Sequence, residues 1–473
     1  FSLVTEEPGM MYQTVDQLKH HLVDVLTIDE GNIVISNEER LRDVLIDDLI
    51  YSAIFSPDGD VRSSARWLIR RAGAALGCMA FSIQSLYDAM GSGTVSGFTV
   101  PAINLRGITY DCAQSVFRSV LKNDVGPCIF EIARSEIGYT DQRPSEYATV
   151  ITAAAIKTGY RGPLFLQGDH FQINAKKYRE DPSAETQAIK SLVREAIEAG
   201  FYNIDIDAST VVDLSKNTIE EQQAGNYSIT ADITAMIREI EPEGVTVSVG
   251  GEIGEIGDKN TTVEEFTVFM DHYLQELRKR GDNLKGISKI SIQTGTTHGG
   301  VPLPNGSIAK VKIDFDTLEK ISDVAQSRYG LSGAVQHGAS TLPNEAFDKF
   351  PKTGTSEIHL ATGFQNIIYD SRNFPAELRS RIYAYLNTDL QGEKKEADTE
   401  EQFIYKTRKK GFGHFKKDMW DLSPDILKAI GEELEDQFSF LFHKLNLVGT
   451  RDVLDQFIKP VDVPLEVPVP LRK

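Results

Sequence analysis

Residues 162–170 read Gly-Pro-Leu-Phe-Leu-Gln-Gly-Asp-His, a short apolar run that ends on an acid and an imidazole. Short apolar runs of this kind, bounded by turn residues, are what fully buried strands of a parallel sheet look like. Seven further runs share the character: 98–104 (FTVPAIN), 127–134 (PCIFEIAR), 202–209 (YNIDIDAS), 245–254 (VTVSVGGEIG), 289–298 (KISIQTGTTH), 331–340 (LSGAVQHGAS) and 357–363 (EIHLATG). Helical periodicity fills the gaps, for example over 184–199, 262–280 and 315–329. Eight strands alternating with helices predict an α/β fold, a parallel (β/α)8 TIM barrel, whose site is built where the strands end. The polar residues fall at those ends: Asn104, Asp169, His170, Asp207, Glu252, His298, His337 and His359.

Outward from the barrel, the sequence divides into a helical N-terminal extension (1–95), the barrel (96–375), and C-terminal helices with a Pro-rich tail (376–473). In the extension Arg62, Arg66 and Arg70 recur at helical spacing and predict a basic stripe on a solvated face. A basic run, KTRKKGFGHFKK, spans 406–417. The prolines of 459–471 forbid a helix and predict an extended strap.

The chain has 473 residues, 41% hydrophobic and 25% charged, as in ordinary globular proteins. Its 50 basic and 69 acidic residues leave a formal charge of −19, which argues against nucleic acid or an anionic membrane as the main partner. A phosphorylated metabolite in a locally basic pocket remains compatible with that charge. Cys78, Cys112 and Cys128 have no close spacing, so neither a disulfide framework nor a cysteine zinc module is expected. A cytoplasmic location fits best, with no run of 18 apolar residues and no signal pattern; Phe1 suggests that further residues precede the sequence.

Three histidines at strand ends, His170, His298 and His337, would aim three imidazoles at one point. That is how an open zinc site is built. Asp169 would place an acid/base group beside the metal; the bland alternative is a helix-capping aspartate and a histidine packed under a loop. Gly299 and Gly338 follow two of the histidines, and Ser340 comes shortly after, so amide and hydroxyl donors there could cradle an anion. Glu252 could supply a carboxylate ligand or orient a histidine. Its surroundings, GGEIGEIG, do not match a dinucleotide fingerprint, and Glu255 reads as a loop carboxylate. Asp205 and Asp207 alternate on one strand and share a face. Lys289 opens its strand rather than closing it, which disfavours a Schiff-base enzyme, and FTVPAIN lacks the His-x-His of barrel metallohydrolases.

These motifs, in this order, resemble the class II (zinc-dependent) fructose-bisphosphate and tagatose-bisphosphate aldolase family. The resemblance covers about 98–370 and is carried by FTVPAIN, LQGDHFQINAKKY, GGEIGEIG, GTTHGG and QHGAS. It implies Asp169 as the catalytic acid/base, and His170, Glu252, His298 and His337 at Zn2+ or another divalent transition metal. It also implies Asn104, Gly299, Gly338, Ser340 and Thr362 at the substrate, with Asp207 near a possible second metal position. His359 stands where the family has an asparagine; it is expected to touch substrate or metal, with plain pocket lining as the alternative.

The sequence also departs from the family. Pro302 stands where a phosphate-binding lysine is usual, His359-Leu360-Ala361-Thr362 replaces Asn-Ile-Asp-Thr, and Lys259 and Asn260 replace paired glutamates. No counterpart of the family's C-terminal arginine is evident. The resemblance implies a metal-dependent aldolase that cleaves a ketose (bis)phosphate such as fructose 1,6-bisphosphate to dihydroxyacetone phosphate and an aldehyde. It further implies a homodimer or homotetramer. The alternatives are a metal aldolase for another sugar phosphate and a non-catalytic aldolase-like subunit.

Overall fold

A computed structural model describes residues 10–254, 259–295, 303 and 313–472. A hairpin comes first, β1 (Leu26–Asp29) and β2 (Asn32–Ile35), then a short strand β3 (Cys78–Ala80). The barrel follows as β4 (Val100–Asn104), β5 (Ile129–Ala133), β6 (Gly162–Gln172), β7 (Asn203–Asp207), β8 (Ser248–Gly254), β9 (Lys289–Ile292), β10 (Ala334–Gln336) and β11 (Glu357–Leu360). All eight pair in parallel in chain order, and β11 returns to β4 with Glu357 opposite Val100 and Leu360 opposite Ile103, closing the cylinder. The (β/α)8 expectation holds, and Asn104, Asp169, His170, Asp207, Glu252 and His359 lie in the last few residues of their strands, with His337 directly after β10.

The helices that wrap the barrel start where the sequence supplies caps. Thr218 and Thr262 each close a capping box with a glutamate, Glu221 and Glu265, and so begin the helices Ile219–Ile240 and Val263–Arg280. On β7, Ile204 and Ile206 face these outer layers, while Asp205 and Asp207 share the opposite face. The same alternation gives β9 its inward Lys289 and Ser291, and β11 its inward Glu357 and His359.

The N-terminal segment is mostly helical but also holds a hairpin and a short strand. Glu30 and Gly31 both take positive φ (46° and 82°), the geometry of a tight hairpin turn between two alternating runs. β3 then pairs with the first residues of β6, Cys78 opposite Gly162, which project beyond β6's pairing with β5. The arginine stripe is not a solvated face. Arg62 and Arg66 donate to the carbonyls of Ser56 and Ala53, Arg66 also reaches Glu146 at 3.3 Å, and Arg70 is half-buried. The tail does run as an extended strap: Asp462 pairs with Arg71 at 2.7 Å, and Trp67 Nε1 donates to the Leu465 carbonyl. Among the described residues, no helix is long and apolar enough to cross a membrane.

One hydrophobic core runs from Tyr12 to Leu471 through all three segments. A single carboxylate ties them together. Glu146, buried on the barrel helix Pro144–Thr158, accepts Arg66 from the N-terminal segment and Lys416 from the C-terminal one. Glu146→Gln leaves a half-buried arginine and a half-buried lysine without their buried counter-charge. It should cost about 3 kcal/mol, read as a lower denaturant midpoint with an unchanged slope.

Candidate active site at the C-terminal mouth of the barrel

A cavity of about 730 Å3 opens where the barrel strands end. Asn104, Asp169, His170, Asp207, Glu252, His337, Gly338, Ser340, His359 and Thr362 all line it. His298 and Gly299, expected in the same site, lie outside the described residues, as does Glu255.

β6 carries the first two groups through an irregularity. Its register with β7 shifts between Gly168 and Phe171, and His170 sits at φ +39°, a strained conformation for a residue with a side chain. Strain of this kind persists only where the surroundings enforce it, and it clusters at functional sites. Here it turns both Asp169 and His170 into the cavity. Glu252 Oε2 stands 2.8 Å and Asp207 Oδ2 3.5 Å from His170 Nδ1, while Asp169 Oδ1 stands 3.7 Å from Nε2. The His170 and His337 rings are 3.9 Å apart, and Ser291 Oγ meets His337 Nε2 at 2.9 Å.

Three carboxylates around one imidazole are more negative charge than the imidazole can balance. Burial and the adjacent Asp207 push the Glu252 carboxyl up to about 7. Burial opposes charging of His170, but Asp169 and Glu252 outweigh it and raise its pKa well above the usual imidazole range. A divalent cation held there would offset this excess of negative charge. Ligand atoms of Asp169, His170 and His337 lie within 4.8 Å of one another, as do those of His170, Asp207 and Glu252. Imidazole nitrogens with carboxylate oxygens suit zinc and its first-row neighbours.

His359 lines the same cavity and also reaches into the barrel interior. It is buried beneath Asp169, with Nδ1 3.1 Å from Asp169 Oδ1 and 2.9 Å from Glu131 Oε2, and Nε2 2.7 Å from Glu357 Oε1. Below it Lys289, 1% exposed, donates to Gln167 at 2.8 Å and Glu357 at 2.6 Å and lies 3.0 Å from Asp205. Burial works against the ammonium charge, but Asp205 and Glu357 outweigh it, so Lys289 stays a cation and not an amine nucleophile. A Cβ on Gly250 would come within 2.3 Å of the Asp205 carboxylate, so β8 keeps a glycine where this layer needs room.

Sequence reasoning missed several residues of the site. Glu131 and Glu357 carried a signal, a carboxylate inside an otherwise apolar strand. Arg106 carried none, and Lys409 only its place in the basic run 406–417. Arg106 pairs with Glu136 at 2.7 Å and donates to Gln365 at 3.0 Å, while Lys409 stands 5.6 Å from the Tyr139 ring centroid. Burial and the charge of Arg106 lower the Lys409 pKa. Its neighbours in the basic run are occupied elsewhere, Arg408 with Asp370 and Lys410 with Glu393. The family-divergent Lys259 and Asn260 pair with Glu265 and Asp314 and so serve local structure.

No curated protein sequence matches the chain. Solved structures that resemble it include a probable tagatose 6 phosphate kinase from Sinorhizobium meliloti 1021, 14% identical with a TM-score of 0.53, covering 76% of this chain and 99% of its own. Another is a fructose-bisphosphate aldolase from Campylobacter jejuni, 17% identical with a TM-score of 0.45, covering 78% of this chain and 97% of its own. A third is the fructuronate-tagaturonate epimerase UxaE from Cohnella laeviribosi, 13% identical with a TM-score of 0.49, covering 77% and 82%. The first of these likenesses speaks for the barrel fold alone. The sequence model of class-II fructose-bisphosphate aldolases matches residues 85–415, well over half of the chain, so the protein belongs to that family of carbon–carbon lyases.

Proposed function

We propose that the protein is a divalent-metal aldolase that cleaves a ketose phosphate carrying a second anionic group, with fructose 1,6-bisphosphate as the model substrate. The observation that carries this reading is the convergence of Asp169, His170 and His337 within one donor distance, at the mouth of a barrel of this family. His170, His337 and Glu252 would hold the cation, with the undescribed His298 expected beside them and Asp207 near a second position. When bound, the cation would act as a Lewis acid on the ketose carbonyl and offset the negative charge of the cleavage step.

The chain's own groups then have distinct tasks. Asp169 takes the proton of the C4 hydroxyl; as C4 becomes the aldehyde carbon, the C3–C4 electron pair passes to C3 and the adjacent carbonyl. Gly338, Ser340 and Thr362 ring one side of the cavity, and Thr362 begins the helix Thr362–Asp370, whose free N–H groups favour an anion. Arg106 Nη1 reaches Thr362 Oγ1 at 3.4 Å and adds positive charge to that side. Asn104, whose amide donates to Glu136 at 2.5 Å, keeps its Oδ1 available to a substrate hydroxyl. Lys409 supplies charge for the second anionic group, in place of the family's lysine and arginine.

Three outcomes follow. Titration calorimetry with Zn2+ on chelator-stripped protein should show tight binding that weakens at least about tenfold in His337→Ala or His170→Ala; unchanged affinity would remove these residues from the metal site. The zinc-loaded protein should cleave fructose 1,6-bisphosphate to triose phosphates, and Asp169→Ala should lower kcat by about 100-fold or more while retaining metal. Lys409→Ala should raise KM for the bisphosphate by about tenfold with kcat little changed. Equal KM values in the two proteins would place the second anion elsewhere and direct attention to singly phosphorylated ketoses.

A further inference from the structure

The helix Gln84–Gly91 belongs to the N-terminal segment, yet it lies across the opposite mouth of the barrel, where the strands begin. Three contacts fix it there. The Ile83 amide donates to Asn203 Oδ1 at the start of β7, Asp88 pairs with Lys285 just before β9 at 2.8 Å, and the Gly91 backbone approaches Gly330 too closely for any Cβ. From this helix Tyr87 points into the barrel, fully buried, and its hydroxyl donates to Glu357 Oε2.

That contact is the first link of a short chain to the proposed acid/base. The other oxygen of Glu357 stands 2.7 Å from His359 Nε2, and His359 Nδ1 stands 3.1 Å from Asp169 Oδ1. Two groups separate Tyr87 from Asp169. The links are braced from the sides: Lys289 and Gln167 Nε2 donate to the same Glu357 oxygen at 2.6 and 2.8 Å, and Gln167 donates to Glu131 at 3.1 Å. A carboxylate has two oxygens, and its orientation is set by what holds each. With the Tyr87 hydroxyl on Oε2, Oε1 is left to Lys289 and Gln167 and faces the His359 ring, which lies between Glu357 and Asp169.

We propose that Tyr87 is a positioning residue of the active site: the N-terminal segment reaches through the floor of the barrel and, by way of Glu357 and His359, sets the orientation of Asp169. The segment is thereby part of the catalytic apparatus and not only a cover for the barrel. The inference rests on the aldolase reading for the task given to Asp169, and not for the chain of contacts itself.

The test is Tyr87→Phe in the full chain, which keeps the ring and removes only the hydroxyl. Three quantities are read: melting temperature, steady-state cleavage of fructose 1,6-bisphosphate, and the ring-nitrogen NMR signals of protein labelled with 15N-histidine, His359→Gln serving to assign the His359 signal. Positioning predicts a melting temperature close to that of the parent protein, a shifted His359 signal, and kcat lowered about tenfold with KM unchanged. In a His359→Gln background the same substitution should add nothing further to the loss of kcat, because the group it acts through is gone. An unmoved His359 signal, or effects of the two substitutions that simply multiply, would overturn the proposal. If Tyr87→Phe does not fold, 3-fluorotyrosine at position 87 keeps the shape and changes only the acidity of the hydroxyl, and an unmoved signal there is equally fatal. If the parent protein cleaves no ketose phosphate, the aldolase reading falls, and the His359 signal alone decides whether Tyr87 acts through the barrel.

Discussion

An ammonium group at the centre of a barrel is the constraint on which the rest of the interior depends. Lys289 is removed from water, and an unpaired buried cation is among the costliest things a fold can contain. It must therefore be met by carboxylates, and Asp205 and Glu357 meet it. Their placement in turn requires a glycine at position 250 and polar residues at matching heights on β5, β6 and β11. Layers that barrels commonly fill with branched aliphatic side chains are here a network of charge. Such a network contributes little net stability. What it does supply is a rigid, oriented floor beneath Asp169.

Much of this was legible in the sequence, and the reasons are physical. The eight strands announced themselves because strands buried on both faces are apolar throughout or alternate tightly, and the residues that end them were polar. Alternation in NIDID and EIHL was visible too, but it is ambiguous: polar side chains on one face usually mean solvent. Only barrel closure shows that this polar face turns inward. The hairpin was hidden by its shortness, two four-residue strands around a turn that lacks the usual Asn-Gly. The buried arginine stripe misled because helical spacing records a shared face and not what covers it.

Tyr87, Arg106 and Lys409 were beyond the reach of sequence for another reason. Each acts at a distance in sequence that no local period encodes: Tyr87 meets a residue 270 positions away, and Arg106 one 256 positions away. Lys409 lies within a run of similar charges, of which the neighbours satisfy surface acids. Nothing in its own surroundings distinguishes it until the C-terminal helices are folded over the mouth.

The two segments outside the barrel thus meet the site from opposite ends. The C-terminal segment brings Lys409 to the upper rim, and the N-terminal segment brings Tyr87 to the floor. Glu146 joins both segments to one barrel helix, so neither contribution is mechanically independent of the other. A chain with an overall charge of −19 repels anions at long range, so the proposed anionic substrate would need cations concentrated where it binds. Lys409 and Arg106, the latter paired with Glu136, line the same cavity as the carboxylates Asp207 and Glu252. On the proposed function these groups would have complementary tasks, the carboxylates and imidazoles toward a cation with Asp169 beside it, and the basic side chains toward an anion. On the proposed reading, a ketose bisphosphate would set its carbonyl and hydroxyls at the cation and its two phosphates at Thr362 and Lys409, so both ends of the substrate would meet residues that only the folded mouth brings together.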